Sequence, residues 1–173
     1  SILKDLGCRV DFQKNVFAVH SSIISKKSAD YEYVRQMRAS IVLLGPVIAR
    51  YKKFKIALPG GCSIGTRGID LHLKALKLMG VKIAIRNGYV QAERKFSKLK
   101  AIKHKFSKIS VGATQNILKT ATVAKGKYLL ENCAIEPEEI DWIKFLNNCG
   151  AEIEINKRTL SIKWEEEIDL KKH

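Results

Sequence analysis

The chain has 173 residues, of which 46% are hydrophobic and 28% are charged, and its formal net charge is +15. This composition predicts one folded domain with a sizeable core and excludes a disordered tail or a collagen-like chain. No apolar run is long enough to predict a transmembrane helix, and no signal-peptide pattern opens the sequence. The four cysteines lie far apart and form no CxxC pair, so no metal site or cofactor is predicted and we expect reduced thiols in the cytoplasm.

The positive charge raises the question of a nucleic-acid partner. The cations are 24 lysines and only 8 arginines, and aromatic residues make up 8% of the chain. Proteins that read nucleic acid depend on arginine and on stacking aromatic side chains, and both are scarce here. A basic nucleic-acid-binding module is therefore kept as an alternative that rests on charge alone.

Three segments share one layout around Gly7, Gly80 and Gly150, which are spaced by 73 and 70 residues. In each, a leucine lies four residues before the glycine, and apolar residues follow it at the third and fifth positions. This pattern predicts a helix that ends at a left-handed glycine and is followed by a half-buried strand. Asn87 and Gly88 are typical of a hairpin turn. The second strands are predicted at 16–19, 89–92 and 159–162.

A second element recurs at an offset of 74 residues, in the apolar runs that begin at Ala39 and Ala113. Each run predicts a helix followed by a strand, at 54–58 and at 128–130, and Gly45 with Pro46 should kink the first helix. The complete unit is helix, strand, helix, strand, strand, and coordinated repetition predicts a repeat architecture. We predict an α/β fold in one incomplete domain over 1–173. Its repeats span about 1–33, 34–107 and 108–173, the first of them truncated.

Residues 58–72 form the most unusual segment, with four glycines within nine residues around Cys62 and Arg67. A glycine-rich loop exposes backbone N–H groups and allows a ligand to approach closely. We expect the Cys62 thiol to be reactive, because a nearby guanidinium favours the thiolate. The alternative is a surface loop with an idle thiol, since such loops are common turn material.

Residues 108–114 form a second segment with a chemical signal. Ser110 is a typical N-cap for the helix that follows. The N–H groups of Val111 and Gly112 then point out of the helix N-terminus beside Lys108, which is the geometry of an anion site. An ordinary capped helix is the alternative.

Four further features of the sequence point to local structure or to a weaker binding signal. Arg38 lies at the start of a predicted helix, where a cation is unfavourable unless an anion is bound nearby; a solvated surface arginine is the alternative. Residues 136–139 predict a helix start, with proline at the first position and acids in the first turn. The Lys-rich stretch 95–108 is interpreted as a solvated strand or loop face. The remaining cysteines, Cys8, Cys133 and Cys149, are interpreted as buried small hydrophobic residues.

At these residues the sequence resembles the UDP-N-acetylglucosamine enolpyruvyl transferase family over nearly the whole chain. The related shikimate-pathway transferases share the repeat but are not known for the cysteine loop. The segments that carry the resemblance, in chain order, are VRQMRAS (34–40), LGP (44–46), LPGGCSIGTR (58–67), DLH (70–72), SVGAT (110–114), EN (131–132), EPE (136–138), FL (145–146) and GA (150–151).

The resemblance implies a fold and a reaction. Family members have two similar domains, each an inside-out α/β barrel of three α/β units with the helices inside and the sheets outside. The active site lies in the cleft between the domains, of which this chain would supply one wall. The implied cytoplasmic reaction moves the enolpyruvyl group of phosphoenolpyruvate to the 3′-hydroxyl of UDP-N-acetylglucosamine and releases phosphate. It is the first committed step of peptidoglycan synthesis.

The resemblance also implies roles for individual residues. Cys62 matches the loop cysteine that protonates or covalently captures phosphoenolpyruvate and is alkylated by fosfomycin. Arg67 matches an arginine that contacts the anionic substrates, and Arg38 matches another cation that lines the cleft and belongs to the substrate-binding residues. The remaining matches belong to the sugar nucleotide: Asp70, Leu71 and His72 surround the uridine, and Lys108, Ser110, Val111 and Gly112 form the diphosphate cradle.

The sequence departs from the family pattern at several positions. Thr66 and Gly68 flank Arg67 where the family usually has alanine and proline, and Ile135 replaces a common arginine. The family's N-terminal Lys-Asn pair, its general-base aspartate and the arginines of the other domain match no position here. We therefore expect the chain alone to be inactive. The rival interpretation is a non-catalytic sugar-nucleotide-binding remnant.

Overall fold

The structure is a computed structural model that describes residues 2–22, 24–29, 31–34, 38–58 and 69–164, with only the backbone of Arg38. Its helices are α1 (Ile2–Asp5), α2 (Tyr31–Val34), a 3₁₀ helix (Arg38–Leu43), α3 (Leu44–Arg50), α4 (Asp70–Leu78), α5 (Val111–Ala124) and α6 (Pro137–Asn148). Its strands are β1 (Arg9–Gln13), β2 (Val16–His20), β3 (Ser28–Ala29), β4 (Lys53–Ala57), β5 (Val81–Arg86), β6 (Tyr89–Arg94), β7 (Lys103–Lys105), β8 (Gly126–Glu131), β9 (Glu152–Asn156) and β10 (Thr159–Trp164).

Two four-stranded sheets have the same arrangement. Their strand orders are β3-β4-β6-β5 and β7-β8-β10-β9. In each, a short strand pairs in parallel with the next strand, and all other pairs are antiparallel. Strands β1 and β2 form a separate two-stranded antiparallel sheet.

Each of the three glycines that were predicted to end a helix is followed by a β-hairpin. Gly7, Gly80 and Gly150 have φ angles of 91°, 92° and 98°, the left-handed region that favours glycine. The predicted second strands are present as β2, β6 and β10. Asn87 and Gly88 both have positive φ, 50° and 73°, which is the two-residue turn that matches the twist of a hairpin.

Helices α3 and α5 lie between the two large sheets. They contact each other, α3 contacts β4 and β6, and α5 contacts β10. Side chains along the strands alternate between the core and solvent: Phe54 and Ile56 of β4 are buried, whereas Lys53 and Lys55 face solvent. The apolar faces of helices and sheets thus form one continuous core. Among the helices of the described ranges, none is long and apolar enough to cross a membrane.

Three details differ from the sequence-based expectations. The helix predicted to kink at Gly45 and Pro46 is instead a 3₁₀ helix that ends at Leu43, with α3 beginning at Leu44. Proline therefore lies in the first turn of an α-helix, where its missing N–H costs nothing. The stretch 95–108 is only partly solvated, because Leu99, His104 and Phe106 are buried. The short strands β3 and β7 were not predicted at all.

Candidate substrate-binding site

The predicted site residues that the structure describes lie on α4 and around the start of α5. Cys62 and Arg67 lie outside the described residues, as does the side chain of Arg38, whose backbone begins the 3₁₀ helix. The described part of the site therefore consists of the positions predicted for the uridine and the diphosphate.

Helix α4 begins with the first of these segments. Asp70 is its first residue and is exposed, and Leu71 is half-buried against the core. His72, the third residue, is 6% exposed, so its imidazole lies inside the molecule. A buried imidazole must be hydrogen-bonded to be tolerated, which makes its partners informative.

The start of α5 has the predicted capped geometry. Ser110 has extended backbone angles, φ −150° and ψ 117°, and its Oγ accepts a hydrogen bond from the N–H of Ala113 at 3.3 Å. The N–H groups of Val111 and Gly112 belong to the first turn, which has no acceptors within the helix. Lys108 is exposed two residues before the cap. Helix dipole, open N–H groups and ammonium all favour a negatively charged ligand here.

The loop that leads into α5 is held by the chain after β8. The Nδ2 of Asn132 donates to the carbonyl of Phe106 at 2.8 Å, and the N–H of Phe106 donates to the carbonyl of Glu131 at 3.0 Å. Asn132 has a left-handed backbone, φ 59°, which asparagine tolerates better than most residues. These contacts fix the position at which the chain turns toward Lys108 and Ser110.

The two predicted segments, separated by forty residues, meet at His72 and Gly112. A Cβ atom on Gly112 would lie 3.3 Å from Cε1 and 3.5 Å from Nε2 of His72. Glycine at 112 therefore lets the edge of the imidazole approach the first turn of α5, and a larger side chain would push the ring away. The structure thus brings the edge of the His72 ring close to the first turn of α5.

Asn116 joins this site and was missed by the sequence-based reasoning. It is fully buried, and its Nδ2 lies 3.1 Å from Nδ1 of His72 while its Oδ1 accepts from the N–H of Gly45 at 3.0 Å. A signal was present in the sequence. Asn116 and Thr120 occupy the helical stripe of Ala113 and Ile117, and a polar residue in an apolar stripe marks a buried hydrogen-bond network.

A depression of about 600 Å³ lies elsewhere on the molecule. Strands β4, β5 and β6 supply most of its lining, including Lys53, Lys55, Lys82 and Arg86, and none of the lining residues belongs to α4 or α5. It is a shallow basic face of a sheet rather than an enclosed cavity.

The described thiols are shielded from solvent. Cys8, Cys133 and Cys149 are all buried, as predicted. Burial raises the pKa of the Cys133 thiol to about 12, so it stays protonated at neutral pH. Within the described ranges no group of His, Cys, Asp and Glu side chains could hold a metal ion.

The fold is α/β, and the candidate site lies at a helix N-terminus, a position at which proteins commonly bind anions. The family model described as EPSP synthase (3-phosphoshikimate 1-carboxyvinyltransferase) matches residues 1–173, and the chain belongs to this family. Among solved structures, the enolpyruvyl transferase NikO from Streptomyces tendae matches 95% of this chain and 39% of its own, with a TM-score of 0.78 at 18% identity. An EPSP synthase from Acinetobacter baumannii matches 95% of this chain and 38% of its own, with a TM-score of 0.66 at 17% identity. At such identities the likeness shows the fold.

Curated relatives are more similar in sequence. The chain is 46% identical to the UDP-N-acetylglucosamine 1-carboxyvinyltransferase of Pelagibacter ubique over 162 residues, which are 93% of this chain and 39% of that protein. It is 46% identical over 155 residues to the protein of the same name in Cereibacter sphaeroides, covering 88% of this chain and 37% of the relative. The chain therefore spans about two fifths of the length of these relatives.

Proposed function

We propose that this chain forms part of an enzyme that transfers the enolpyruvyl group of phosphoenolpyruvate to the 3′-hydroxyl of UDP-N-acetylglucosamine. In this reaction the sugar oxygen bonds to C2 of the enolpyruvyl group, and the bond between C2 and the phosphate oxygen breaks. The names of relatives that are 46% identical over most of this chain support this substrate pair. Such a transfer serves peptidoglycan synthesis in the cytoplasm.

The observation that carries the proposal is the convergence of His72 with the first turn of α5. The Gly112 backbone lies against the imidazole, Ser110 caps the helix, and exposed Lys108 adds a positive charge. A diphosphate has the charge and the acceptor oxygens that such a helix terminus binds. Exposed Asp70 at the start of α4 is then available to accept hydrogen bonds from the uracil edge, with Leu71 beside it.

The chemical step is assigned to residues outside the described part of the chain. By the resemblance, Cys62 protonates or captures phosphoenolpyruvate, and Arg67 and Arg38 contact the anionic substrates. Cys8, Cys133 and Cys149 are unsuited to that role because they are buried, and a reacting thiol must be accessible to the substrate. The assignment to Cys62 therefore has no competitor among the other cysteines.

We also infer that residues 1–173 form one incomplete inside-out α/β barrel domain of three repeats, about 1–33, 34–107 and 108–173. The identical strand orders of the two large sheets support this, as do helices α3 and α5 lying between them. The β1–β2 sheet exposes Phe12 and Phe17, 66% and 58% accessible, an apolar surface that further residues of a longer parent would cover.

The chain by itself should release no phosphate from the two substrates. The resemblance assigns the general base and part of the phosphoenolpyruvate site to segments that these residues do not match. Loss of a general base alone costs roughly 10²–10⁴-fold in rate, and loss of substrate positioning multiplies that factor. Turnover by the isolated chain at an ordinary enzymatic rate would contradict this assignment of the active site.

A chimaera tests the proposed reaction directly. This chain replaces the matching 39% of the Pelagibacter ubique relative, and phosphate release is measured once circular dichroism shows that the protein is folded. We expect turnover with UDP-N-acetylglucosamine, its loss in Cys62→Ala, and its retention in the matched control Cys149→Ala. A folded chimaera without turnover would refute the proposal. Turnover with 3-phosphoshikimate instead would keep the family and refute the substrate.

A further inference from the structure

The sheet of strand order β3-β4-β6-β5 packs one face on α3, and its opposite face carries a concentration of positive charge. The register brings side chains from alternate positions of β4, β6 and β5 together on this outer face. Its exposed cations line the depression of about 600 Å³ and define the basic sheet face: Lys27, Lys53, Lys55, Lys82 and Arg86.

The cations on the strands form two rows. Lys53 and Lys55 lie two residues apart on β4, and Lys82 and Arg86 lie four residues apart on β5. Because β6 lies between these strands, the rows are about 10 Å apart. Gln91 of β6 is paired with Lys55 and lies between the rows. A chain of negative charges along β6 would therefore have cations on both sides.

Little of this charge is neutralised by the protein itself. Among the described residues that line the depression, Glu93 is the only acid, and its Oε1 lies 3.4 Å from Nζ of Lys53. Lys55 instead lies over the ring of Tyr89, with Nζ 3.9 Å from the ring centroid. A ring contact leaves the positive charge of the ammonium available to an anion.

The other large sheet shows that this fold does not require a basic outer face. The sheet of strand order β7-β8-β10-β9 has the same pairing, and its equivalent face carries four lysines and three acids: Lys103, Lys105, Lys127, Lys163, Glu131, Glu152 and Glu154. Lys163 and Glu152 form an ion pair at 3.2 Å. The basic sheet face has five cations and one acid. A one-sided excess of this kind favours a negatively charged partner.

We propose that the basic sheet face binds the phosphate backbone of a single-stranded nucleic acid without reading its sequence. The scarcity of arginine and aromatic residues in the chain argues against base recognition, whereas phosphate contacts require only cations. Tyr89 offers no free ring for base stacking, because Lys55 covers it. This surface is separate from the proposed transferase site, since none of its lining residues belongs to α4 or α5.

Two other kinds of polyanion fit this surface less well. A bilayer is flat on this scale and cannot follow cations that line a depression. A protein partner needs a well-packed apolar centre in the interface, whereas Ala84 and Gln91 lie between the cation rows. In an extended acidic peptide, successive carboxylates also point to opposite faces, so only every second one would meet the lysines.

Fluorescence anisotropy with a labelled oligouridylate of about 12 nucleotides measures this binding. Four cations of the face are not paired with an acid of the described chain, Lys27, Lys55, Lys82 and Arg86. Four phosphate contacts predict a slope of about −3 in the plot of log affinity against log salt. Raising the salt from about 50 to about 200 mM should therefore weaken binding about 50-fold. No binding at the lower salt, or a strong preference among oligonucleotide sequences, would overturn the proposal.

Matched variants separate this face from net charge. Lys82→Gln combined with Arg86→Gln removes two of the four contacts, so the affinity at low salt should fall at least about tenfold and the slope should halve. The control, Lys103→Gln combined with Lys127→Gln, removes the same charge from the other sheet and should bind like wild type. Equal losses in both would show attraction to net charge alone and would overturn the proposal.

Chemical-shift mapping of the wild-type chain with the same oligonucleotide needs no variant, and so it decides if the first variant does not fold. Shifts should cluster at 53–55, 82–86 and 91, and a cluster elsewhere would overturn the proposal. Competition then distinguishes the other polyanions. Phosphatidylglycerol vesicles and polyglutamate should displace the oligonucleotide poorly at equal charge concentration. Stronger binding of either one would assign the face to a membrane surface or to an acidic protein and would also overturn the proposal.

Discussion

Replacing Gly45 by alanine tests the contact between α3 and α5 on which the site depends. A Cβ at this position would lie 1.8 Å from Oγ1 of Thr120, 2.4 Å from Oδ1 of Asn116 and 3.1 Å from the Asn116 carbonyl. The last atom belongs to the α5 backbone and cannot rotate away. Since the first turn of α3 has no side-chain cap of its own, Asn116 also accepts one of its unpaired N–H groups. The added methyl group therefore pushes the helices apart and breaks this hydrogen bond.

The magnitude follows from three contributions. Overpacking a core costs about 1–3 kcal/mol, and a buried hydrogen bond left unmade costs about 1–3 kcal/mol. Alanine regains about 1 kcal/mol of helix propensity over glycine. Gly45→Ala should therefore lower the free energy of unfolding by about 3 kcal/mol. For a chain of this size that is a decrease of about 10 °C in Tm.

Urea unfolding followed by the fluorescence of Trp142 and Trp164 measures this free energy. The control is Gly88→Ala, where a Cβ meets no atom within 4 Å but φ is +73°; the cost there is left-handed strain alone, about 1 kcal/mol. Thr120→Ala removes one of the clashing atoms and should restore part of the stability lost in Gly45→Ala. A Gly45→Ala protein within 0.5 kcal/mol of wild type would refute the close packing of α3 on α5.

Two further predictions concern titratable groups. Iodoacetamide near neutral pH should label Cys62 first and Cys133 last, since burial raises the pKa of Cys133 to about 12; peptide mapping that finds native Cys133 labelled before Cys62 would contradict this. Burial also raises the pKa of Glu139 above its ordinary value of 4.5, while its carboxylate accepts from the amide of Gln115. The folded state binds the Glu139 proton more tightly than the unfolded state does. Protonated Glu139 therefore makes its full contribution to stability below pH 4.5, and this contribution is lost as the pH rises through the raised pKa. Glu139→Gln keeps a hydrogen-bond acceptor without the charge, so its stability should equal that of wild type at low pH and exceed it at neutral pH. If the urea midpoints of variant and wild type differ by the same amount at both pH values, the pKa of Glu139 is not raised by folding.

Features that depend on neighbouring residues could be predicted from the sequence. A leucine four residues before Gly80, and alternating residues after it, describe a helix end and a strand without reference to any distant contact. Ser110 as an N-cap is local in the same way, and the structure shows its Oγ in that role. Strands as short as β3, Ser28–Ala29, could not be predicted, because two residues contain no alternation.

The hydrogen-bond partners within the site could be identified only from the folded structure. Asn116 is a visible polar residue in an apolar stripe, but no spacing rule identifies Gly45 or His72, which lie 71 and 44 residues away, as its partners. The resemblance identified His72 and Gly112 as site residues separately. The close approach of the His72 ring to Gly112, which leaves little room for a Cβ atom there, is a property of how α4 packs on α5.

Chemical-shift mapping with UDP-N-acetylglucosamine tests most directly whether α4 and α5 form a sugar-nucleotide site. We expect weak binding by this chain, on the order of millimolar, with shifts clustered at 67–72 and 108–114. Lys108→Glu should abolish them, and the matched change Lys82→Glu, on the basic sheet face, should not. Shifts scattered over 95–105 that inorganic phosphate reproduces would contradict a sugar-nucleotide site on α4 and α5 and show only unspecific attraction to charge.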